Sequence, residues 1–319
     1  MIRSGFAAAL LGMAVSTSAI AQSADFPNKP IRVVVPFNAG SGADGSARVI
    51  AEQMQRILGQ PMLVENKPGA SGSVAAVHVK TQPADGYTVL VATNSPMSVN
   101  PVVMKNPGYD SVKDFKPIHG IARSVNLWYV SNESPYKTIG DLIAAGKAKP
   151  LNLGSYSAGY QLGIAWLGNM TGAKFQYVPY KGQAQVITDV VGGQLDAGMG
   201  DLGGAISLVQ SGKIRALAVS GDKRMAGLPN VPTIKETHPE YENYAWTTFF
   251  VRSDTPPAVH AKLVEAMKKA LTTKESLEYF EKQNSIPMLT FGPDEMAKYQ
   301  REEIARFKRI ADAAGIKPE

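Results

Sequence analysis

Residues 31–47 read Ile-Arg-Val-Val-Val-Pro-Phe-Asn-Ala-Gly-Ser-Gly-Ala-Asp-Gly-Ser-Ala. This stretch decides the fold class, because an apolar β-branched run stops at Pro36, a glycine-rich loop follows, and a helical pattern then begins. A helix that starts just after a strand points its free backbone N–H groups toward the edge of the sheet, where an anion can bind. The stretch therefore predicts an α/β unit with an anion-binding loop.

Three later loops repeat this arrangement between a strand-like run and a helix-like run. They are Thr93-Asn94-Ser95, residues 154–159 and residues 198–204. In open α/β sheets, ligands bind beyond the carboxyl ends of the strands, where such loops gather. Several loops of this kind around one cleft favour a protein that binds small acids.

Composition narrows the possible function classes. The chain has 319 residues, which predicts two domains, and a net charge of +6 without any run of five like charges. A nucleic-acid partner is therefore not predicted. Cysteine is absent, which excludes disulfides, a thiol nucleophile and thiolate metal ligands. The four histidines are far apart and lack metal-ligand spacing, so neither a metal nor another cofactor is predicted.

The first 21 residues have the pattern of a secretory signal peptide. Arg3 is followed by an apolar stretch at residues 6–15 and by Ala19-Ile20-Ala21 before Gln22. The apolar stretch is too short to span a bilayer. We expect cleavage after Ala21 and a mature protein outside the cytoplasm.

Strand-like and helix-like patterns alternate along the rest of the chain, which predicts doubly wound parallel sheets. Strands are predicted at 31–35, 62–64, 87–92, 127–130, 151–153, 175–178, 195–199, 215–219 and 247–251. Helices are predicted at 46–58, 74–80, 138–147, 160–170, 183–191, 203–210, 257–271, 274–282 and 293–313. On the first helix, Ile50, Met54, Ile57 and Leu58 form the predicted buried face.

The alternation falls into two series with a return near the end. We therefore expect residues 22–123 and 248–319 to form the first lobe and residues 124–247 the second, with a ligand cleft between them.

The first loop also fits a dinucleotide-binding motif, which leaves an enzyme as the alternative function. Residues 40–45 read Gly-Ser-Gly-Ala-Asp-Gly, and Glu65 ends the next strand. Residues 36–39 separate the strand from the first glycine, which loosens the turn that a pyrophosphate needs, and a second glycine-rich loop follows Glu65. No Gly-x-Ser-x-Gly elbow is present. A secreted or periplasmic enzyme acting on a small anion remains the second interpretation.

Two aspartates allow both a structural and a functional interpretation. Asp44 and Asp201 each stand just before a predicted helix, where a carboxylate caps the free N–H groups. Alternatively, Asp44 orients loop amides or a water toward a ligand, and Asp201 contacts the ligand directly. The residue pattern leaves both interpretations open.

Short motifs in a fixed order connect the chain to a known family. They are Pro-Ile-Arg-Val-Val-Val-Pro-Phe at 30–37 followed by Ala39-Gly40 and Asp44, Gly-Gln-Pro at 59–61, Val-Glu-Asn-Lys-Pro-Gly-Ala at 64–70, Asp-Gly-Tyr-Thr at 85–88, Val-Pro-Tyr-Lys-Gly at 178–182, Arg-Ala-Leu-Ala-Val at 215–219 and Pro-Asn-Val-Pro-Thr at 229–233. With these motifs the chain resembles the periplasmic solute-binding proteins of tripartite tricarboxylate transporters, also called Bug proteins.

The resemblance implies a two-lobed, type II periplasmic-binding-protein (Venus-flytrap) fold. It also implies a monomer that binds a small organic carboxylate and passes it to integral membrane subunits, without enzymatic activity. The ligand carboxylate is expected at the backbone amides of residues 37–44, which we call the opening loop. Together with the loops described above, this predicts ligand-binding residues Phe37, Asn38, Ala39, Ser41, Gly42, Ala43, Asp44, Thr93, Asn94, Ser95, Ser155, Tyr156, Ser157, Ala158, Gly159, Tyr160, Tyr180 and Asp201.

The second-lobe loop departs from the family pattern, since Tyr156, Tyr160, Gln161 and Leu162 stand where small residues and often a histidine are usual. The two tyrosines narrow the cleft for a short acid, or offer flat faces to an aromatic acid, or turn outward to pack on the lobe. We favour the aromatic acid.

Overall fold

The structure is a computed structural model that describes residues 26–318. The predicted signal peptide at residues 1–21 lies outside these residues. Within the described range, no helix combines the length and the apolar character needed to cross a membrane.

Ten strands are formed in the described part of the chain. They are β1 (Ile31–Val35), β2 (Met62–Asn66), β3 (Thr88–Thr93), β4 (Phe115–Ser131), β5 (Leu151–Ser155), β6 (Phe175–Pro179), β7 (Ala197–Asp201), β8 (Ile214–Val219), β9 (Tyr244–Arg252) and β10 (Ser285–Pro287).

Ten α-helices accompany these strands. They are α1 (Gly42–Leu58), α2 (Ser73–Lys80), α3 (Asn100–Val103), α4 (Ile139–Ala148), α5 (Ala158–Thr171), α6 (Gln183–Val191), α7 (Leu202–Gln210), α8 (Pro257–Leu271), α9 (Lys274–Lys282) and α10 (Pro293–Ala313). Short 3₁₀ turns lie at Ala70–Gly72 and Ile234–Glu236, and a π turn at Ser95–Val99 leads into α3.

The strands are ordered β2-β1-β3-β9-β4-β7-β5-β6, with β8 and β10 also paired to β4. The outer pairs β1–β2, β1–β3, β5–β6 and β5–β7 are parallel, as the alternating pattern predicts. The central strands β4 and β9 are antiparallel to their neighbours, so the prediction of purely parallel sheets is wrong there. Antiparallel pairing of this kind does not need the crossover connection that parallel pairing requires.

The strands form two sheets, one with β1, β2, β3, β9 and β10 and the other with β5, β6, β7 and β8. β4 is 17 residues long and belongs to both sheets. Its residues 115–125 pair with β9, and its residues 126–131 pair with β7 and β8. The sequence predicts only residues 127–130 of this strand. The first half was missed because His119, Gly120, Arg123 and Ser124 interrupt the apolar pattern. The shared strand confirms a two-lobed α/β fold, while the predicted boundaries at residues 124 and 248 stay predictions.

Helix α1 begins at Gly42, four residues earlier than predicted. The Ser41 hydroxyl caps it by accepting a hydrogen bond from the Asp44 N–H at 3.3 Å. The helix ends at Gly59, whose φ of 71° allows the left-handed turn that a glycine adopts at low cost. Ile50 and Met54 are fully buried, whereas Ile57, predicted on the same face, is 38% exposed near the helix end.

Each lobe has its own apolar core, and α10 contacts both. Phe307, Ile310 and Ala311 of this helix pack with Ala158 and Leu162 of α5 from the second lobe. The first-lobe core includes Ile50 of α1 and residues of β1, β3, β4, β9 and α8. The terminal helix therefore ties the second lobe to the first on the side where α5 lies.

Two isoleucines on α1 provide a test of this core. We expect Ile50→Ala to destabilise the protein by about 2–5 kcal/mol, because it leaves a cavity in the first lobe. The same substitution at Ile57 removes a side chain that is already partly in water and should cost at most about 1 kcal/mol. Urea unfolding of both variants measures the difference. Equal losses would contradict the burial of α1 described above.

Candidate functional site

A small cavity lies between the two lobes, at the ends of β3, β5 and β7 and against the start of α1. Its volume is about 30 Å³, which is room for about one water. The lining is mostly polar or aromatic and comes from both lobes: Phe37, Ser41, Gly42, Ala43, Thr93, Asn94, Ser124, Tyr156, Ser157, Tyr160, Asp201, Ala245 and Thr247. We call it the central cavity.

The first-lobe wall of the central cavity is the N-terminus of α1. Gly42 and Ala43 occupy the first two helical positions, so their N–H groups have no carbonyl partner within the helix. The chain reaches this position through Gly40, whose φ of 83° favours glycine. The free N–H groups and the helix dipole make this end of α1 favourable for a carboxylate.

Asp44 holds the opening loop in place from behind the cavity. Its carboxylate accepts hydrogen bonds from the Gly40 N–H and the Asn66 amide, both at 2.9 Å, and from Arg48 Nε at 3.0 Å. Burial opposes ionisation, but these donors and the Arg48 charge together hold the pKa of Asp44 below its ordinary value. Ser41 is the helix cap, so Asp44 has the loop-orienting role rather than the capping role.

Asp201 forms the second-lobe wall of the central cavity. It precedes α7, yet its side chain does not cap that helix. Its carboxylate instead accepts hydrogen bonds from the hydroxyls of Tyr156 and of Tyr160, the latter at 2.6 Å. Burial, and then the negative charge of Asp201, raises the pKa of both tyrosines well above the ordinary value. Both hydroxyls therefore keep their protons and act as donors.

The backbone at Asp201 is fixed by Gln183. The Gln183 side chain accepts from the Asp201 N–H at 3.0 Å and donates to the Asp201 carbonyl at 2.9 Å. Gln183 thus supports the site, and the sequence does not predict this role because a glutamine at the start of a helix carries no distinctive pattern.

The Asp201 carboxylate faces the start of α1 across the cleft. Its carbon lies 3.1 Å from the position that a Cβ atom would take at Gly42. A carboxylate of one lobe is thus already placed against the helix N-terminus of the other. Gly42 has no positive φ, so only the close approach, and not an unusual backbone conformation, requires glycine there.

Direct contacts hold the two lobes together around the cavity. The Gly159 N–H donates to the Ser95 hydroxyl at 3.1 Å, and the Ala158 N–H donates to the Ser71 hydroxyl at 3.2 Å. At the rim, the Asn38 amide donates to the Lys181 carbonyl at 3.1 Å. The structure is therefore a closed arrangement of the lobes.

Most of the predicted site residues meet at the cleft, in three different situations. Ten line the central cavity: Phe37, Ser41, Gly42, Ala43, Thr93, Asn94, Tyr156, Ser157, Tyr160 and Asp201. Others contact the opposite lobe or support the loops without lining it: Asn38, Asp44, Ser95, Ser155, Ala158 and Gly159. Ala39 is exposed on the opening loop, and Tyr180 lies farther out, beside a second pocket.

Three further lining residues were missed, namely Ser124, Ala245 and Thr247. They lie on β9 and on the first half of β4, which pair with each other. Their signal in the sequence is weak, because small polar residues within strands look like ordinary solvent-facing positions.

Two sheets that share a strand, with a polar cavity between the lobes and a helix N-terminus facing it, define a binding protein of the two-lobed periplasmic class. The family description "Tripartite tricarboxylate transporter family receptor" matches residues 46–316, so the chain belongs to that family. This confirms the resemblance seen in the sequence motifs. The family comprises substrate-binding receptors of transporters and not enzymes, and its members are periplasmic.

Three known proteins show how far the similarity extends. BugT of Bordetella pertussis is 31% identical over 319 residues, covering 97% of each chain. The structure of Rpa4515 from R. palustris with adipate has a TM-score of 0.88 and 32% identity, covering 92% of this chain and all of the other. MatC from Rhodopseudomonas palustris with bound malate has a TM-score of 0.83 and 26% identity, covering 89% and 99%.

The lowered pKa of Asp44 leads to a pH-dependent prediction. A depressed carboxyl pKa stabilises the fold above the unfolded value of 3.8, and this stabilisation is lost as the pH falls through the folded pKa. We expect Asp44→Asn to destabilise the protein by about 1.5–3 kcal/mol at neutral pH. The difference from wild type should narrow as the pH falls below about 4, as followed by denaturant unfolding at several pH values. A constant difference over that range would contradict the ionised network.

Proposed function

We propose that this receptor captures a small organic carboxylate between its lobes, with the ligand's carboxylate at the N–H groups of Gly42 and Ala43. The observation that carries the proposal is the Asp201 carboxylate, which already lies against this helix N-terminus. An incoming ligand carboxylate would meet the same free donors when the lobes open. Asp201 and its two tyrosines then form the opposite wall.

The energetics favour an anion at this place. A hydrogen bond from an N–H group to a carboxylate contributes about 1.5–3 kcal/mol, and two or more converge here. Closing the lobes removes water from around these bonds and strengthens them. The neighbouring receptors with adipate and malate support a carboxylate as the ligand class.

The proposed role is delivery of the acid to the membrane subunits of a tripartite tricarboxylate-type transporter. The family membership supports this role. We further propose that the protein is secreted by cleavage after Ala21, acts as a monomer in the periplasm, and needs no cofactor.

Among carboxylates we favour an aromatic acid. Tyr156 and Tyr160 both face the central cavity, with their ring centroids 5.0 Å apart, and Phe37 packs edge-on against Tyr156 at 6.1 Å. Their hydroxyls are engaged by Asp201, so ring surfaces rather than polar tips remain for a ligand. A contact between two aromatic rings adds about 0.5–1.5 kcal/mol to the free energy gained by burying their apolar surface.

A thermal-shift screen of the purified protein tests the ligand class. A carboxylate present at about a hundred times its dissociation constant should stabilise the protein by about 2.7 kcal/mol. Aliphatic and aromatic acids and a nicotinamide nucleotide should be screened side by side. A shift with the nucleotide and with none of the acids would favour the enzyme interpretation and contradict the proposal.

Substitution at Gly42 tests the location. We expect Gly42→Val to lower carboxylate affinity at least about tenfold, because its side chain would enter the space between the helix N-terminus and Asp201. Gly140→Val is the matched control, since Gly140 also lies in the first turn of a helix but its nearest neighbour is the Thr138 hydroxyl at 3.5 Å. Calorimetric titration of both variants measures the effect. Wild-type binding by Gly42→Val would exclude this helix N-terminus as the site.

A further inference from the structure

A second and larger pocket opens beside the central cavity, and we call it the outer pocket. Its volume is about 440 Å³, and it lies between the two lobes. Four aromatic rings and one lysine contribute to its lining, opposite the segment 68–72: Phe37, Tyr156, Tyr177, Tyr180 and Lys181. Phe37 and Tyr156 also line the central cavity, so the two spaces adjoin at this pair of rings.

The tyrosines of the outer pocket direct their hydroxyls to protein acceptors. The Tyr156 hydroxyl donates to Asp201, that of Tyr180 donates to Asp189, and that of Tyr177 donates to the Ser155 carbonyl at 3.4 Å. Burial raises the pKa of Tyr177 to about 12. The phenols are therefore neutral and their polar ends are occupied, so the surfaces left for a ligand are largely those of rings.

Lys181 provides the positive charge of the outer pocket. Its backbone carbonyl is fixed by the Asn38 amide across the cleft, at 3.1 Å. Its side chain takes part in none of the ion pairs formed among residues 26–318. Asp189, the acid that Tyr180 contacts, is already engaged by the phenol hydroxyl. The lysine charge is thus available to an anionic group on a ligand.

The first-lobe wall of the outer pocket is a strained backbone segment. Ala70 and Ser71 have φ values of 43° and 50°, in the left-handed region that residues other than glycine rarely adopt. The Asn100 amide holds this conformation by donating to the Ser71 carbonyl at 3.1 Å, and the Ser71 hydroxyl accepts from Ala158 across the cleft. Strain that is held in this way is common at ligand-binding segments, because it fixes the wall before the ligand arrives.

We propose that the outer pocket holds the body of the ligand, an aromatic ring whose second anionic group faces Lys181. This inference rests on the proposed function, since it leaves the first carboxylate at the start of α1. The volumes of the two pockets support placing the ring in the outer one. The central cavity admits about one water, whereas a dry cavity of about 150 Å³ already admits a benzene ring and the outer pocket measures about 440 Å³. The ligand class is then an aromatic dicarboxylate.

The two rings between the pockets explain how such a ligand enters. Phe37 belongs to the opening loop of the first lobe, and Tyr156 belongs to the second-lobe loop after β5. Opening of the lobes separates these rings and joins the two spaces, and closure brings the rings back onto the ligand. A quaternary ammonium ligand also suits aromatic walls, but the Lys181 charge disfavours it.

Calorimetric titration with benzene-1,4-dicarboxylate, benzoate, succinate, adipate and glycine betaine tests the inference. We expect the aromatic dicarboxylate to bind at least about tenfold more tightly than succinate or adipate. Tyr177→Leu should reduce its affinity by about tenfold and leave succinate binding unchanged, while Tyr177→Phe, which keeps the ring, should bind it as wild type does.

Substitution of Lys181 provides a second test that leaves the core unchanged, because the Lys181 side chain is exposed. Lys181→Met should weaken the aromatic dicarboxylate by about tenfold and benzoate much less, and Lys181→Arg should restore binding. Lys174→Met is the matched control, because Lys174 is an exposed lysine of the same lobe outside the pocket lining, and it should have no effect.

The outcomes separate this inference from the proposed function. If the aliphatic acids bind as tightly as the aromatic dicarboxylate and Gly42→Val abolishes their binding, the outer pocket is not the ligand subsite but carboxylate capture stands. Preferential binding of glycine betaine, or equal effects of Lys181→Met and Lys174→Met, would also overturn the inference. If none of the acids binds wild type, the proposed function itself fails.

Discussion

The structure depends on one strand that is shared by two sheets. β4 pairs with β9 in its first half and with β7 and β8 in its second half, so a single hydrogen-bonded strand joins the lobes. Because the strand is continuous, the loops at the ends of β1, β3, β5 and β7 face one another across it. The small residues of β4 and β9 that line the central cavity, such as Ser124 and Thr247, follow from the same crossing. Everything that meets in the cleft is placed by this arrangement.

Charge complementarity then organises the cleft. The first lobe presents the N-terminus of α1, with a loop held by Asp44, and the second lobe presents Asp201 between two phenol donors. The partial positive charge of the helix N-terminus and the negative charge of Asp201 are complementary. The protein therefore reaches the closed state with groups of its own two lobes. In the proposed function, a ligand carboxylate takes the place at this helix N-terminus that Asp201 faces, so binding and the opening of the lobes are coupled through Asp201. The cross-lobe bonds from Ala158 and Gly159 to serines of the first lobe are formed in the closed state and would be lost on opening.

Tyrosines shape both pockets of the cleft. Tyr156 and Tyr160 line the central cavity, which has room for about one water, and both donate hydrogen bonds to Asp201. At the same time, Tyr156 joins Tyr177 and Tyr180 at a pocket more than ten times larger. In the further inference, the body of the ligand therefore lies in this outer pocket, beside Lys181. The volume and the aromatic lining of the outer pocket are the physical basis for proposing an aromatic acid that is larger than malate.

The amino-acid sequence alone determined the α/β class, the helix bounds at 183–191, 257–271, 274–282 and 293–313, and the glycine-rich loop between β1 and the first helix. These features are local, since they follow from apolar periodicity, caps and glycines within a few residues of one another. The sequence could not decide the antiparallel centre of the sheet, because the pairing of β4 with β9 joins residues more than a hundred positions apart. Nor could it decide whether Asp44 and Asp201 cap helices or serve the cleft. That choice depends on donors brought from elsewhere, namely Asn66 for Asp44 and Tyr156 and Tyr160 for Asp201. The outer pocket likewise exists only where the two lobes meet, since its rings come from separate loops that tertiary packing alone brings together.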